Sequence, residues 1–376
     1  MKISFLSSGH YPLDDRIYYH LAETLSEAGH YVEIISSKAE LRDDTRRIKL
    51  NCFAGDELGK REKIDRFVKC LMSSRTGMII CPEPLAVIAA KKYSKAVSGK
   101  TIIIYDVTEW YPSVKNLAPH NHVLRPFVFL KLLLFNIFAA GQADAFIFGE
   151  WYKSRPYSLL FPKKPHAFTT YYPDLKYITC TEPSLPDGRL RLCYSGRISL
   201  DKGFGNFADV IKVLAGRHRD LKIVVKIIGW FENKHDRKDC EGAFMSLKDH
   251  TDISFYDRQP FAEYIELISD TDIFLDLRPV TWENRRSLPI RLFYYAALGR
   301  PVIFSDLKAI RREVRTEDFG FLVKPDEPGR IAEIISEYLL NRQHYYTHCR
   351  NARRMTEEHY NWEIISKDFL AFVEAL

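Results

Sequence analysis

The segment Arg191-Leu-Cys-Tyr-Ser-Gly-Arg-Ile-Ser-Leu-Asp-Lys-Gly-Phe-Gly-Asn206 combines a β-type pattern, a cationic turn and a helix start. Apolar and polar residues alternate up to Gly196, Arg197 and Lys202 follow in the turn, and Gly203 is predicted to open a helix. A helix start presents unpaired backbone N–H groups and the positive end of the helix dipole. With two cations beside it, such a turn would suit a diphosphate.

A second segment further along the chain repeats this design. Ser287-Leu-Pro-Ile290 is predicted to open another helix, and Gly299-Arg-Pro301 follows its end. Arg285, Arg286 and Arg291 lie around its start. The repetition predicts two anion-binding helix starts in the same half of the chain.

Length and composition predict a globular protein with two α/β domains. A chain of 376 residues with 46% hydrophobic content is too long for a single core. Its seven cysteines form no Cys-x-x-Cys pair, which favours free thiols in the reducing cytoplasm. The first residues resemble a strand more than a signal peptide, and no uncharged apolar run is long enough to span a membrane.

The net charge of +6 arises in the first half of the chain. Residues 1–170 contain 24 Lys and Arg against 17 Asp and Glu. This asymmetry suits an anionic partner, either a membrane surface or a phosphate-bearing acceptor, although scattered solvated lysines would give the same count. Motifs typical of nucleic-acid binding are absent from the sequence.

Strand and helix patterns alternate in both halves and predict parallel sheets, with ligands at the carboxyl ends of their strands. The first strand delivers Gly9 and His10, and a strand over 101–105 delivers Asp106-Val-Thr-Glu109-Trp110. Acidic groups among aromatic residues can contact sugar hydroxyls. The alternatives are that Asp106 caps a helix, that Trp110 only packs, and that His10 is structural.

Residues 123–140 are apolar nearly all round, interrupted by Lys131 and Asn136. This pattern predicts a buried helix, with a membrane-facing helix as the functional alternative.

Residues 171–188 are rich in Pro, Asp and Gly and predict a linker. We therefore expect a Rossmann-like domain over 1–170, a second over 189–358, and a C-terminal helix within 359–376.

Tyr194-Ser-Gly-Arg-Ile-Ser-Leu-Asp-Lys-Gly203 resembles the Gly-Arg-x4-Lys-Gly signature of nucleotide-sugar glycosyltransferases of the GT-B fold, and specifically of glycosyltransferase family 4 (group 1). The resemblance covers nearly the whole chain. Further matching segments are Asp15-Arg16, Glu27-Ala-Gly-His-Tyr-Val-Glu-Ile34, Tyr105–Pro112, Ala143-Asp-Ala145, Gly149-Glu150, Ile227-Ile-Gly229 and Ser287–Ile303.

The resemblance implies two Rossmann-like domains facing each other across a cleft, with the C-terminal helix packed on the first. It implies an acceptor site in the first domain, a nucleotide-sugar site in the second, and retention of anomeric configuration without an essential metal. Catalytic roles are expected for Asp106, Glu109, Arg197 and Lys202. Donor contacts are expected from Gly9, His10, Gly196, Arg197, Lys202, Gly229, Trp230, Glu283, Ser287, Leu288, Pro289, Ile290, Arg291 and Tyr294.

The chain departs from the family pattern at two places. The family's Glu-x7-Glu pair aligns with Arg286 and Tyr294, so Glu283 is the candidate for the first carboxylate. Thr108 stands where a histidine is often found. A non-catalytic nucleotide-sugar-binding or regulatory subunit and a GT-B sugar-nucleotide epimerase are therefore alternatives to the transferase.

For the transferase, the expected acceptor is a saccharide, free or lipid-linked, in surface polysaccharide or glycan biosynthesis. The expected location is the cytoplasm or the inner face of the membrane. Arg197 and Lys202 would stabilise the leaving diphosphate, and Asp106 or Glu109 would take the acceptor proton.

Overall fold

The computed structural model describes residues 1–39 and 47–376. Its contacts divide the chain into two compact units. Unit 1 contains Met1–Tyr171 together with Glu363–Leu376, and unit 2 contains Tyr172–Trp362. Each unit is built around a parallel sheet, as predicted.

The sheet of unit 1 has the strand order β3-β2-β1-β4-β5-β6-β7, and each neighbouring pair is parallel. Central strands such as the one over 78–81 are buried along their whole length, because helices cover both faces of a parallel sheet. Its strands are β1 (Lys2–Ser7), β2 (Tyr31–Ser36), β3 (Lys49–Cys52), β4 (Met78–Cys81), β5 (Ile102–Val107), β6 (Ala145–Phe148) and β7 (His166–Phe168).

The helices of unit 1 follow its strands in the chain. A π-helical turn over Ile17–Ala22 leads directly into the first α-helix. The α-helices are α1 (Glu23–Glu27), α2 (Lys60–Ser74), α3 (Pro84–Ala96), α4 (Val114–Leu117), α5 (Arg125–Gln142) and α6 (Trp151–Leu160).

Unit 2 has a six-stranded parallel sheet in the order β10-β9-β8-β11-β12-β13. Its strands are β8 (Arg189–Arg197), β9 (Lys222–Trp230), β10 (Asp252–Tyr256), β11 (Ile273–Asp276), β12 (Val302–Ser305) and β13 (Gly320–Val323). Its helices are α7 (Phe204–Arg217), α8 (Lys234–Lys248), α9 (Phe261–Ile268), α10 (Ile290–Ala297), α11 (Lys308–Glu313), α12 (Pro328–Leu340) and α13 (Arg342–Glu358).

The last helix, α14 (Trp362–Glu374), groups with unit 1 from Glu363 onwards. Phe369 and Val373 on this helix are fully buried. Its Glu374 carboxylate lies 3.2 Å from Nε2 of His30, which precedes β2. Unit 1 is therefore assembled from two separate segments of the chain.

The segment 171–188 differs from its prediction as a linker. From Tyr172 it belongs to unit 2, where Ile178 and Leu185 are buried in the apolar core. Arg191 on β8 also donates to the carbonyl of Ser184 at 2.7 Å. Proline and glycine break regular structure without freeing a segment from tertiary packing.

The prediction of a buried helix over 123–140 was wrong for much of its surface. Phe127, Leu134 and Phe138 on α5 are between 57% and 72% exposed, whereas Ala139 and Ala140 are buried. Within the described residues, no helix combines the length and apolarity that a membrane crossing requires.

Candidate functional site

The turn between β8 and α7 depends on glycines at its two ends. Gly196 has φ of +103°, and Gly203 has φ of +85°. A Cβ on Gly203 would overlap the carbonyl of Leu277, and a Cβ on Gly196 would lie 2.8 Å from Nη1 of Arg291. Gly196 is therefore favoured by its backbone conformation, and Gly203 is required both for conformation and for space.

Gly229 lies beside Gly196, where β8 and β9 pair in register. A Cβ on Gly229 would overlap the carbonyl oxygen of Gly196. The predicted site residue Gly229 thus allows the two strands to approach at the start of the turn.

Tyr194 fixes the shape of this turn, a role that sequence reasoning missed. Its buried hydroxyl lies 2.8 Å from the carbonyl oxygen of Arg197 and 3.3 Å from that of Lys202. Asn284 and Asn206 add side-chain contacts to the carbonyls of Asp201 and Leu277. In the sequence, the tyrosine two positions before Gly196 in the strand was the feature that could have indicated this role.

Arg197 and Lys202 differ in their ion pairs. Arg197 donates to Glu232 at 2.6 Å and also pairs with Asp201. Burial opposes its charge, but these two carboxylates raise the pKa of Arg197 above its ordinary value. For Lys202, no ion pair forms within the described parts of the chain.

The pKa of Lys202 is lowered to about 8. Burial is the main cause, and the positive charges of Arg278, Arg197 and Arg291 add to it, while Asp201 acts in the opposite direction. An anion bound among these cations would relieve their mutual repulsion.

Arg278 joins this cluster, although sequence reasoning did not select it. Arg278 follows β11, and two of its guanidinium nitrogens donate to the carboxylate of Asp276. Arg291 also contacts this carboxylate, at 3.1 Å. Burial opposes ionisation of Asp276, but the two guanidinium groups hold its pKa below the ordinary value. In the sequence, the segment Asp276-Leu-Arg278 at the end of a predicted strand was the feature that could have indicated Arg278 as a site residue.

The loop before α10 is ordered by its own hydrogen bonds. Ser287 Oγ donates to the carbonyl of Glu283 at 3.0 Å, and Pro289 is buried just before the helix. Leu288 and Ile290 pack on an apolar core cluster of unit 2. Arg286 instead stacks over Trp282, 4.6 Å from the ring centroid.

The structure contradicts the prediction that Tyr294 binds the donor. Its side chain is 2% exposed and lies in the apolar core, with its ring 5.5 Å from that of Phe261. It occupies the position that the resemblance assigns to a ribose-binding carboxylate. The family motif gives the position of Tyr294 along the helix. It does not give the direction of the side chain, which points into the core.

Trp230 ends β9 and remains 40% exposed. The guanidinium of Arg258 lies 5.5 Å above its ring. An exposed indole can stack on a planar ligand, and donor binding by Trp230 stays a prediction.

In unit 1, the structure places His10 near the predicted base Glu109. His10 Nδ1 lies 2.9 Å from a carboxylate oxygen of Asp14. Burial alone would lower the pKa of His10, but Asp14, assisted by Glu83 and Glu109, raises it to about 10. His10 is therefore an imidazolium surrounded by carboxylates at neutral pH.

Glu83, which sequence reasoning missed, caps the end of β1. Its Oε1 accepts the backbone N–H groups of Ser8 and Gly9, the latter at 2.8 Å. These amides are the ones that could otherwise bind an anion after the first strand. The carboxylate occupies them, so Gly9 is not placed to bind a donor phosphate through its N–H group.

The structure contradicts the prediction of Asp106 as a base. Asp106 lies within β5, is 1% exposed, and accepts two hydrogen bonds from the buried Arg16 at 2.7 and 2.8 Å. This forked pair satisfies the carboxylate. Glu109, by contrast, is exposed just beyond the strand.

Across residues 1–39 and 47–376, His, Cys, Asp and Glu side chains form no group of three or more arranged to hold a metal. Metal-independent transfer stays a prediction that follows from the family resemblance.

Comparisons with known proteins agree with this arrangement. The family model for glycosyl transferases group 1 matches residues 181–361. An uncharacterized glycosyltransferase of Methanocaldococcus jannaschii is 23% identical over 190 residues, which cover 50% of this chain and 46% of that protein. The match thus spans about half the length of that relative.

Two solved structures share the fold along the whole chain. Sucrose-phosphate synthase from Thermosynechococcus elongatus has a TM-score of 0.76 and 15% identity, over 100% of this chain and 98% of that one. HepE from Anabaena, solved with UDP-glucose, has a TM-score of 0.74 and 14% identity, over 100% of both chains. The resemblance to group 1 glycosyl transferases is confirmed over residues 181–361, and the whole chain shares the GT-B fold of these two structures.

Proposed function

We propose that this protein is a retaining glycosyltransferase that moves a sugar from a nucleoside-diphosphate sugar to a saccharide, either free or lipid-linked. The observation that carries the proposal is the cationic cluster of unit 2, in which the partly buried Lys202 lies among Arg197, Arg278 and Arg291. HepE, which shares the fold, was solved with UDP-glucose. A role in surface polysaccharide or glycan synthesis and a cytoplasmic location, at or near the inner face of the membrane, belong to the same proposal.

The cluster supplies what the leaving group requires. Transfer breaks the bond between the anomeric carbon and a diphosphate oxygen, and the bonding electrons leave with that oxygen. Lys202, with the helix start after Gly203, can stabilise this charge. Arg197 can share its guanidinium between the diphosphate and its present partners, Glu232 and Asp201.

The acceptor side of the reaction is assigned to unit 1. The acceptor oxygen forms the new bond to the anomeric carbon and must lose its proton, either to Glu109 or to the leaving phosphate. Glu109 is the carboxylate that fits the role of base, because Asp106 is neutralised by Arg16. Protonated His10 can donate a hydrogen bond to a sugar hydroxyl.

One observation favours the alternative of a binding subunit without turnover. Tyr294 replaces the second carboxylate of the family pair and is buried, so it offers the ribose no acceptor. The alternatives differ in what they do to a bound donor. A binding subunit would leave the donor intact, whereas an epimerase would interconvert donors without an acceptor.

A donor panel tests the proposal. Thermal unfolding is measured with several sugar nucleotides and nucleoside diphosphates, since binding to the native state raises the unfolding temperature. Release of free nucleotide from stabilising donors is then followed with and without saccharide acceptors. We expect slow hydrolysis alone and faster release with an acceptor.

Two variants locate the site in the same experiment. Lys202→Met and Arg197→Ala should each weaken donor-dependent turnover by about a hundredfold, which corresponds to about 3 kcal/mol. Lys308→Met, which removes an exposed lysine from α11, is the matched control. Normal turnover by folded Lys202→Met would place the diphosphate elsewhere, and tight binding without turnover would favour the binding subunit.

A further inference from the structure

Helix α5 of unit 1 exposes a continuous apolar face. Phe127, Leu130, Leu134 and Phe138 are 72%, 54%, 57% and 60% exposed, and their spacing of three and four residues places them on one side of the helix. Val123 and Leu124 extend this face before the helix begins, at 75% and 54% exposure. We call these six residues the α5 face. A contiguous patch of large apolar side chains at helical spacing indicates an interaction surface.

The opposite side of α5 fixes which residues face outward. The side-chain nitrogen of Asn136 lies 2.9 Å from the Tyr157 hydroxyl and 3.1 Å from the carbonyl of Tyr111, while its oxygen accepts from Tyr105 at 3.0 Å. Ala139 and Ala140 are fully buried beside it. Rotating the helix to hide the α5 face would break these buried hydrogen bonds, which makes the exposure a stable property of unit 1.

The charges around the α5 face have one sign. No Asp or Glu occurs between Glu109 and Asp144. Lys131 emerges from the face itself, four residues after Phe127, and is exposed. Lys60 of α2 lies 6.0 Å from the ring of Phe135, and Lys164 binds the last carbonyls of α5. Lys131 is therefore the cation that the α5 face itself presents, and Lys60 lies beside the neighbouring Phe135.

We propose that the α5 face binds the surface of a lipid bilayer containing anionic lipids, with α5 lying in the plane of the interface. An apolar face that also carries lysine suits an interfacial helix, because the apolar side chains enter the acyl boundary while the ammonium group contacts head-group phosphates. This inference stands on unit 1 alone and does not depend on the donor site.

Lys131 argues for lipid over a second copy of the chain. Pairing two α5 faces symmetrically would bring two Lys131 ammonium groups into an apolar seam that offers no carboxylate from residues 110–143. At a bilayer surface, the same lysine can extend along the apolar face and place its charge among phosphates. The charge pattern therefore complements an anionic membrane.

Vesicle flotation tests this inference. The full-length protein is mixed with phosphatidylcholine vesicles, with or without phosphatidylglycerol, and the floating fraction is measured at low and high salt. We expect flotation with the anionic vesicles and weaker flotation at high salt, because salt screens the attraction. Phe127→Gln with Phe138→Gln should weaken partitioning by about tenfold or more. Lys131→Glu should weaken binding to anionic vesicles specifically.

Leu340→Gln is the matched control, since this side chain is 85% exposed in unit 2 and should be replaced without effect on flotation. Circular dichroism and thermal unfolding confirm that each variant folds. Flotation of the double variant equal to that of the unchanged protein would overturn the inference, as would failure of the unchanged protein to float. Sedimentation showing a dimer that the double variant abolishes, without vesicle binding, would assign the face to self-association.

Discussion

Arg197 and Lys202 occupy one turn, yet their neighbours give them opposite properties. Arg197 is held between Glu232 and Asp201, which stabilise its charge. Lys202 is partly buried, and desolvation together with the charges of Arg278, Arg197 and Arg291 lowers its pKa to about 8. A residue's chemistry in this site is therefore decided by which charges surround it. Asp106 and Glu109 show the same contrast in unit 1.

Donor binding should weaken as the pH rises through about 8. Lys202 binds the diphosphate in its protonated form, and a lowered pKa means that the proton is lost above that pH. Lys202→Arg should keep its charge and remove the inflection between about pH 7 and about pH 10. Calorimetric titration with a nucleoside diphosphate that stabilises the protein measures both curves. Identical pH dependence in the two proteins would contradict the assignment.

Asp106→Asn should lower the stability of the protein, whereas Glu109→Gln should lower its turnover. Asp106→Asn leaves buried Arg16 without its charge partner and should lower the free energy of unfolding by about 3 to 5 kcal/mol. Glu109→Gln should leave stability unchanged and reduce turnover by about a hundredfold or more. Chemical denaturation and steady-state kinetics separate the two effects. A stable but inactive Asp106→Asn protein would restore Asp106 as the base.

At the scale of elements, the site depends on how closely the β8–α7 junction approaches β11. Gly203 packs against the backbone of Leu277, where β11 has just ended. Asn206, in the first turn of α7, donates to the Leu277 carbonyl at 2.8 Å. This contact places Lys202 beside Arg278, since both residues flank the same junction. The spacing of two elements thus brings the cations of the cluster together.

Gly203→Ala should reduce the free energy of unfolding by about 2 to 5 kcal/mol, from the left-handed conformation and the overlap with Leu277. Gly216→Ala, in the helix that follows Gly203, is the control, because a Cβ there meets nothing within 4 Å. Alanine there should be neutral or stabilise by about 0.5 to 1 kcal/mol. Denaturant titrations compare the three proteins. Equal stability of the two variants would contradict the close approach.

The whole molecule consists of two units with separate cores, and only unit 2 is continuous in the chain. Unit 1 recruits α14 from the C-terminal end, where Phe369 and Val373 are fully buried. Its stability therefore depends on residues remote in sequence from the rest of the unit.

Deleting residues 363–376 should destabilise unit 1 by about 3 to 6 kcal/mol, because two buried apolar side chains are lost. Unit 2 should keep its own unfolding transition, since Tyr172–Trp362 remain. Scanning calorimetry of the full and shortened chains measures the transitions. Trp362 is retained so that its backbone N–H can still donate to the carbonyl of Pro173. Unchanged transitions in the shortened protein would contradict a structural role for α14 in unit 1.

The sequence by itself determined the two parallel α/β sheets and the cationic turn. Strand alternation and helical periodicity are local properties. They predicted a strand running up to Gly196, within β8, and a helix opening at Gly203, directly before α7. The linker prediction failed because breaker residues also occur in packed segments.

Only the tertiary structure decided which charges meet and which faces are covered. Glu83 contacts the amide of Gly9 across 74 residues, and Arg16 neutralises Asp106 across 90. The inward position of Tyr294 and the outward α5 face likewise depend on what each helix packs against. A carboxylate after a strand has the same sequence signature whether it is free or paired, and an apolar helix the same signature whether it is covered or exposed. Only packing between distant segments distinguishes them.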